Sequence, residues 1–168
     1  MRIRTEKPDD IPGIYQVNID VFRTDAEANL VDMLREEKVP LISLVAEDDK
    51  GLVGHILFTP VVLMDKKAKI SIAGLGPMAV KKESQRKGIG YQLMEQGFKQ
   101  CLAAGYGAVV VLGHPDYYSR FGFVPSLTFD ISSLYEVPDD LFMIKELKKG
   151  ILKGIKGTVT YHPLFNEV

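Results

Sequence analysis

The chain has little of what would announce many functions outright. It carries one cysteine, Cys101, so no intramolecular disulfide can form, and a reducing, cytoplasmic setting is expected. No apolar run approaches the roughly 20 residues of a membrane span, and the opening "MRIRTEKPDD" lacks the apolar centre of a signal peptide. Charge of one sign is also missing: 21 Lys and Arg against 22 Asp and Glu leave a net charge of −1. A near-neutral chain exerts no general pull on nucleic acid or membranes, so neither is expected as a partner, and any anion site must be local. His162 has no ligand-spaced partner, and no metal site is expected. Repeats, low-complexity tracts and a Gly-x4-Gly-Lys-Ser/Thr phosphate loop are all absent.

What remains is an ordinary globular composition, 46% hydrophobic and 26% charged, over 168 residues. Such a length suits a single domain spanning 1–168 with a core that needs no staple. Ile3 between Arg2 and Arg4 reads as a short first strand. Ile11, Ile14, Tyr15 and Phe22 recur at helical spacing behind Asp10 as N-cap, and Thr24 with Glu27 matches a capping box that opens a second helix. Strands are predicted over Leu41–Glu47 and Leu52–Met64, joined by a hairpin at Asp48–Gly51, with a turn at Lys66 and Lys67. A further strand from about Lys69 to Val80 is interrupted by Gly74, Gly76 and Pro77, which signal a bulge or lost pairing. A helix from Ile89 ends at Gly105, and the short apolar run Ala108–Leu112 reads as a buried central strand. A short helix around Asp116–Arg120 and strands at Leu141–Leu147 and Thr158–Tyr161 complete the chain. This order predicts an α/β fold, a mixed sheet with helices on its faces, in which the broken strand and Ala108–Leu112 run parallel across a helical crossover.

The most informative stretch is "VKKESQRKGIGYQLM", Val80 to Met94. It places Gln85-Arg86-Lys87-Gly88-Ile89-Gly90 between a strand and the first turn of a helix. A helix N-terminus presents unpaired N–H groups and a partial positive charge, both of which favour an anion. Gly88 and Gly90 let the backbone approach a ligand, and Arg86 and Lys87 can reach outer phosphate oxygens. Residues Gln85 to Tyr91 therefore fit a pyrophosphate cradle built mostly from backbone; the alternative is a solvated charged loop. Gly74-Leu75-Gly76-Pro77-Met78-Ala79 formally matches a dinucleotide G-x-G-x-x-A pattern. That pattern must open a helix, whereas here the strand runs on to Val80, so the match is accidental.

"MAVKKESQRKGIGYQLM" resembles motif A of the GNAT family of N-acetyltransferases, with Met78-Ala79-Val80 ending the strand and Gln85 to Gly90 forming the Gln/Arg-x-x-Gly-x-Gly/Ala loop without a gap. "YYSRFGF" is similar to that family's Tyr-x-x-x-Gly-Phe block, with Tyr118, Gly122 and Phe123 in place. The opening "IRTEKPDDIPGI" and the ending "FMIKELKKGILKGIKGTVTYHPLF" resemble the family too, the latter a small bacterial subgroup of predicted acetyltransferases. The resemblance implies a mostly antiparallel sheet with a parallel, splayed central strand pair and helices on both faces. It implies acetyl-CoA as acetyl donor and an amine as acceptor, on a small molecule or a protein. It also allows a homodimer, which no pattern in the chain supports. By analogy the Met78 N–H faces the acetyl carbonyl, Ala79 and Val80 face the pantetheine, and the loop Gln85 to Tyr91 holds the diphosphate.

Three positions depart from the family pattern. Lys82 stands where a proline is common, Val111 where many members carry an asparagine, and no acid lies between Ile70 and Val80 to serve as base. Tyr118 aligns with the general acid that protonates the leaving thiolate; a packing role under the cofactor, or an exchange of roles with Tyr117, is the alternative. For the base, His114 comes first because it follows directly on the Ala108–Leu112 strand and its ordinary pKa suits the task. Asp116, reading also as a helix cap, and a water relay are the alternatives. His55 and Cys101 lie on apolar faces and read as core. The absent acidic base keeps a second reading open, a CoA-binding regulatory or inactive member of the family. A nucleic-acid binder is a third, disfavoured by the charge balance.

Overall fold

The computed structural model describes residues 1–65 and 69–168. It falls into two compact units. The first comprises residues 1–59, 76–100 and 163–168, the second residues 60–75 and 101–162. The predicted turn at Lys66 and Lys67 lies outside the described residues.

In the first unit, β1 (Arg2–Thr5) pairs antiparallel with β2 (Ile42–Asp48), which pairs antiparallel with β3 (Gly51–Met64). The hydrogen-bonded order then continues to β4 (Ile72–Val80). β2 and β3 are joined by two residues, Asp49 and Lys50. The turn closes through the Lys50 N–H to the Asp48 carboxylate and through Gly51, whose φ of 123° is one that side-chain-bearing residues rarely adopt. Helices α1 (Ile11–Phe22) and α2 (Ala26–Glu36) bury Ile14, Leu30, Val31 and Leu34 against Val45 and Leu57. The expected capping arrangements differ in detail. Asp10 accepts from the Lys7 N–H and from Arg4 rather than from α1, and α2 starts one residue later than the Thr24 box implies, with Asp25 at its N-cap. The Thr24 hydroxyl still accepts from the Ala26 N–H and contacts Glu27.

Helix α3 (Ile89–Ala103) buries Ile89, Leu93, Met94, Phe98 and Cys101. Gly97 on this stripe is there for space, since a Cβ would overlap the Phe58 ring. Gly105, φ 95°, ends the helix as the sequence predicts. Burial pushes the Cys101 thiol up to about 12, which makes it inert core rather than a nucleophile.

The second unit contains the start of β4 and then β5 (Ala108–Leu112), α4 (Pro115–Tyr118), β6 (Val124–Pro125), β7 (Ile131–Ser133), β8 (Phe142–Glu146) and β9 (Gly157–Thr160). β4 and β5 run parallel through Ile72↔Ala108, Ala73↔Val109 and Gly74↔Val110, and β8 lies antiparallel on the other side of β5 along its whole length. β8 also pairs with β6, while β9 pairs antiparallel with the end of β3 and parallel with β7. β6 and β7 have no counterpart in the sequence reading. At two and three residues they are too short for periodicity to reveal. β4 begins at Ile72 rather than Lys69.

His55 is core, as its place on β3 suggests. Fully buried opposite Val45, it contacts the Ser43 hydroxyl through Nε2 at 2.9 Å and the Asn18 side-chain amide through Nδ1 at 3.2 Å. The Asn18 Nδ2 also donates to the Ile14 carbonyl, which fixes that amide as a donor and His55 Nδ1 as an acceptor. The ring is therefore neutral, and burial, reinforced by Arg35, lowers its pKa to about 3. Its folded-state pKa is depressed, so the unfolded chain binds the proton first and stability falls as the pH drops below about 6.5. Between pH 7.5 and 5 the unfolding free energy should decrease by about 2 kcal/mol. Urea midpoints across that range check this, and an unchanged midpoint would show His55 to be protonated in the fold.

Candidate active site

Strand β4 changes character part-way along. Ile72, Ala73, Gly74 and Leu75 are buried, and the parallel register with β5 ends at Gly74↔Val110. The next two residues cannot continue a regular ladder: Gly76 has φ 145°, and Pro77 has no N–H to donate. Lost pairing, rather than a bulge, is thus the consequence of the Gly-Gly-Pro pattern. Met78 and Val80 are half-buried and Ala79 is buried. The Lys81 N–H returns to the Val53 carbonyl at 2.8 Å, which anchors the end of β4 within the first unit.

The loop after β4 is built as the sequence suggests. A single 3-10 turn, Lys82–Ser84, buries Ser84 and brings the chain to Gln85, whose side-chain amide donates to the Val80 carbonyl at 3.0 Å. The loop thereby folds back on the strand it leaves. Gln85, Arg86, Lys87 and Gly88 are exposed, while Ile89 is buried as the first core residue of α3. Arg86 has φ 62° and Gly88 φ 81°, both in the left-handed region. For Gly88 this costs nothing; a β-branched residue there would be strained even though no neighbour occupies the space of its Cβ. The first bond inside α3 is Gln92 N–H to Gly88 C=O at 3.0 Å. The amides of Gly88, Ile89 and Gly90 thus precede any helical acceptor and stand beside the Arg86 and Lys87 cations. Next to this loop is a hollow of about 200 Å³ lined by Asp48, Lys50, Leu52, Val53, Lys81, Glu83, Ser84 and Lys87.

The second unit places Tyr118. β5 ends at Leu112, Gly113 donates to the Leu141 carbonyl, and His114 opens α4, its carbonyl accepting from both the Tyr117 and Tyr118 N–H groups. Asp116 therefore lies inside the helix, and the N-cap position belongs to His114. The ring of Tyr118 packs against Gly113, where a Cβ would overlap it, and meets Tyr117 and Phe123 edge-on at 5.0 and 5.7 Å between centroids. Burial, with a smaller push from Tyr117, raises its hydroxyl to about 12, so it keeps its proton throughout the neutral range. His114 is exposed. Among the described residues, no three His, Cys, Asp or Glu side chains gather as a metal site would require.

Tyr161 joins these residues although the sequence reading assigns it no role. It follows β9, is buried, and its hydroxyl lies 3.0 Å from both the Leu75 and the Val110 carbonyl oxygens. Its ring explains Gly74, since a Cβ there would come within 2.7 Å of the ring and 2.6 Å of Val61. Neither Gly113 nor Tyr161 has a sequence signal; only the folded register shows that one makes room for Tyr118 and the other ends a ladder.

A family model described as an acetyltransferase (GNAT) domain matches residues 2–125. The chain belongs to the GNAT family of acetyltransferases. Among curated proteins, the uncharacterized N-acetyltransferase YhbS of Escherichia coli is 37% identical over 99% of both chains. Another from the same organism, YjhQ, is 36% identical over 69% of this chain and 65% of its own length. The crystal structure of E. coli YhbS in complex with CoA superposes with a TM-score of 0.92, covering 98% of this chain and 91% of that one. A GNAT acetyltransferase from Brucella melitensis, solved with acetyl-CoA, is 34% identical with a TM-score of 0.78 and covers 98% and 97%. The family's mixed, mostly antiparallel sheet with its parallel β4–β5 pair is the fold found here. At the candidate site of this GNAT chain, burial holds the Tyr118 hydroxyl at about 12. In a carbon-13 tyrosine NMR titration, one ring should titrate near 12, and Gly113→Ala should move it toward the free value of about 10. A wild-type Tyr118 midpoint at the free value would contradict the burial described.

Proposed function

We propose that the protein transfers the acetyl group of acetyl-CoA to a primary amine of a small molecule or protein by direct attack, with residues 1–168 acting as one acetyltransferase domain. The observation that carries this is the pairing of two features on one short segment: β4 ends its ladder with β5 before Met78, and a loop with left-handed Arg86 and Gly88 leads into the first turn of α3. In this reading both supply main-chain donors, the strand to a pantetheine arm and the helix start to a diphosphate, and similar proteins from Escherichia coli and Brucella melitensis have been solved with CoA and acetyl-CoA.

Acetyl-CoA supplies an acetyl thioester, from which attack by the amine gives an amide and releases the CoA thiolate. In this reading the Met78 N–H stabilises charge on the acetyl oxygen, an effect worth roughly 3 kcal/mol in other acyl-transfer sites. Ala79 and Val80 pair with the arm, the Val80 carbonyl already accepting one bond from Gln85. Gln85 to Tyr91 hold the diphosphate through the amides of Gly88, Ile89 and Gly90 and the charges of Arg86 and Lys87. Tyr118 gives its proton to the leaving thiolate. A thiol is normally about 8.5 and Tyr118 about 12, so transfer is uphill in the ground state and Tyr118 acts chiefly by donating a hydrogen bond as the thiolate forms. His114 is exposed and close to Tyr118 in sequence, and is assigned the amine proton. The cytoplasm is the proposed compartment and a homodimer the proposed assembly.

Release of free thiol over a panel of polyamines, aminoglycosides, amino acids and N-terminal peptides tests the reading. Turnover on at least one amine is expected, and acetyl-CoA binding without turnover on any amine would favour the inactive alternative. Tyr118→Phe should lower kcat by about 10²-fold or more and leave acetyl-CoA affinity near wild type; an unchanged kcat would remove it as the acid. Gly88→Val should instead weaken acetyl-CoA binding, since the backbone it strains carries the amides. Equal affinity in that variant would remove the cradle.

A further inference from the structure

We infer that Tyr161 is a positioning residue for the acetyl-CoA arm, acting by fixing the end of the β4–β5 ladder. The inference rests on the acetyl-CoA reading above. A parallel ladder normally carries regularly spaced N–H···O=C bonds along both strands. Here the last paired position with β5 is Gly74↔Val110, and the carbonyls of Val110, at that position, and Leu75, just past it, both accept from the same side-chain hydroxyl, each at 3.0 Å. One O–H proton thus serves two buried carbonyls at the point where the strands stop pairing. Where pairing with β5 stops, a side-chain hydroxyl takes up these two carbonyls.

The seat of this hydroxyl is rigid. The Tyr161 ring lies against Gly74, the only kind of residue that leaves it room, and against Tyr135 at 6.2 Å between centroids. Thr160, the residue before it, pairs with Val62 of β3, which ties the backbone of Tyr161 to a strand. Burial raises the phenol well above its ordinary pKa, with further pushes from Tyr135 and Tyr118, so it is a permanent donor at neutral pH. Leu75 is followed directly by Gly76 and Pro77 and then by Met78, the amide assigned to the acetyl carbonyl. The last position of β4 held against β5 is therefore fixed by Tyr161, just ahead of Gly76 and Pro77, before any ligand arrives. Without the hydroxyl, Leu75 and Val110 would each lose a donor from a desolvated acceptor, and the strand would be free to shift toward other donors. The arm would then have to restore the geometry at the expense of its own affinity.

The test is Tyr161→Phe, which keeps the ring and deletes the donor. Calorimetric titration with acetyl-CoA and with CoA, at a temperature well below both melting transitions, should show affinity about three- to tenfold weaker for each ligand. KM for acetyl-CoA should rise to match, while kcat at saturation holds within about twofold, the pattern of lost ground-state binding. A residue that only stabilised the fold would lower the melting temperature and leave both affinities intact; that outcome overturns the inference. Gly74→Ala, which retains the hydroxyl but crowds its ring, should weaken CoA in the same direction and decides the matter should Tyr161→Phe not fold; unchanged affinity there is equally adverse. If the wild-type protein binds neither ligand, the acetyl-CoA reading falls and this inference with it. If the wild type binds and Tyr161→Phe binds equally well, this inference alone falls.

Discussion

The structure depends on a backbone-pairing constraint along β4. A strand inside a sheet must find partners for its N–H and C=O groups, and one that is to bind a ligand through those groups must withhold some of them. Here the withholding is written into the covalent chain. Gly76 adopts a φ foreign to other residues, Pro77 removes a donor, and the three-position register with β5 ends just before both. Met78 to Val80 follow that interruption with no register to β5, and the loop to α3 follows them.

Two different devices prepare the two parts of the donor surface. In the strand, pairing is stopped by residues that cannot pair. At the helix, pairing is impossible because the first turn of any α-helix lacks preceding carbonyls. The loop between them has to turn sharply, and it does so with left-handed Arg86 and Gly88 and with Gln85 bonded back to Val80. Arginine at a positive φ is unusual for a residue with a long side chain, and it directs a cation from the turn itself rather than from the helix. The charge balance of the whole chain is irrelevant to such a site, which works over a few ångströms.

Much of this is legible in the sequence because it rests on local rules. Glycine and proline inside a strand, glycine before a helical stripe, and a five-residue apolar run each have one dominant physical reading, and β4, α3 and β5 lie within a few residues of where those rules put them. α2 starts one residue after the place the Thr24 box gives it, with Asp25 at the N-cap making no side-chain cap bond while the Thr24 hydroxyl accepts from the Ala26 N–H. β6 and β7 are held by their partners, not by their own pattern. The site divides in the same way. The loop Gln85 to Tyr91 is a local motif, but the supports of Tyr118 and of the ladder's end come from outside any motif: Gly113 beneath a ring five positions on, and Tyr161 facing Leu75 and Val110. No spacing rule links those positions.

The histidines show why residue type alone misleads. His55 and His114 have the same intrinsic chemistry, yet one is locked neutral between Ser43 and Asn18 and the other reaches solvent. A general base must be able to take and release a proton near neutral pH, and a ring whose pKa burial has lowered to about 3 cannot. That removes His55 on physical grounds and leaves the amine proton to a solvent-accessible group or to solvent. Such a base is sufficient if the acceptor amine arrives partly deprotonated, because the demanding step is then loss of the thiolate rather than activation of the nucleophile. The two candidate side chains are built differently in the same sense: Tyr118 is seated against Gly113, Tyr117 and Phe123, whereas His114 is exposed to water.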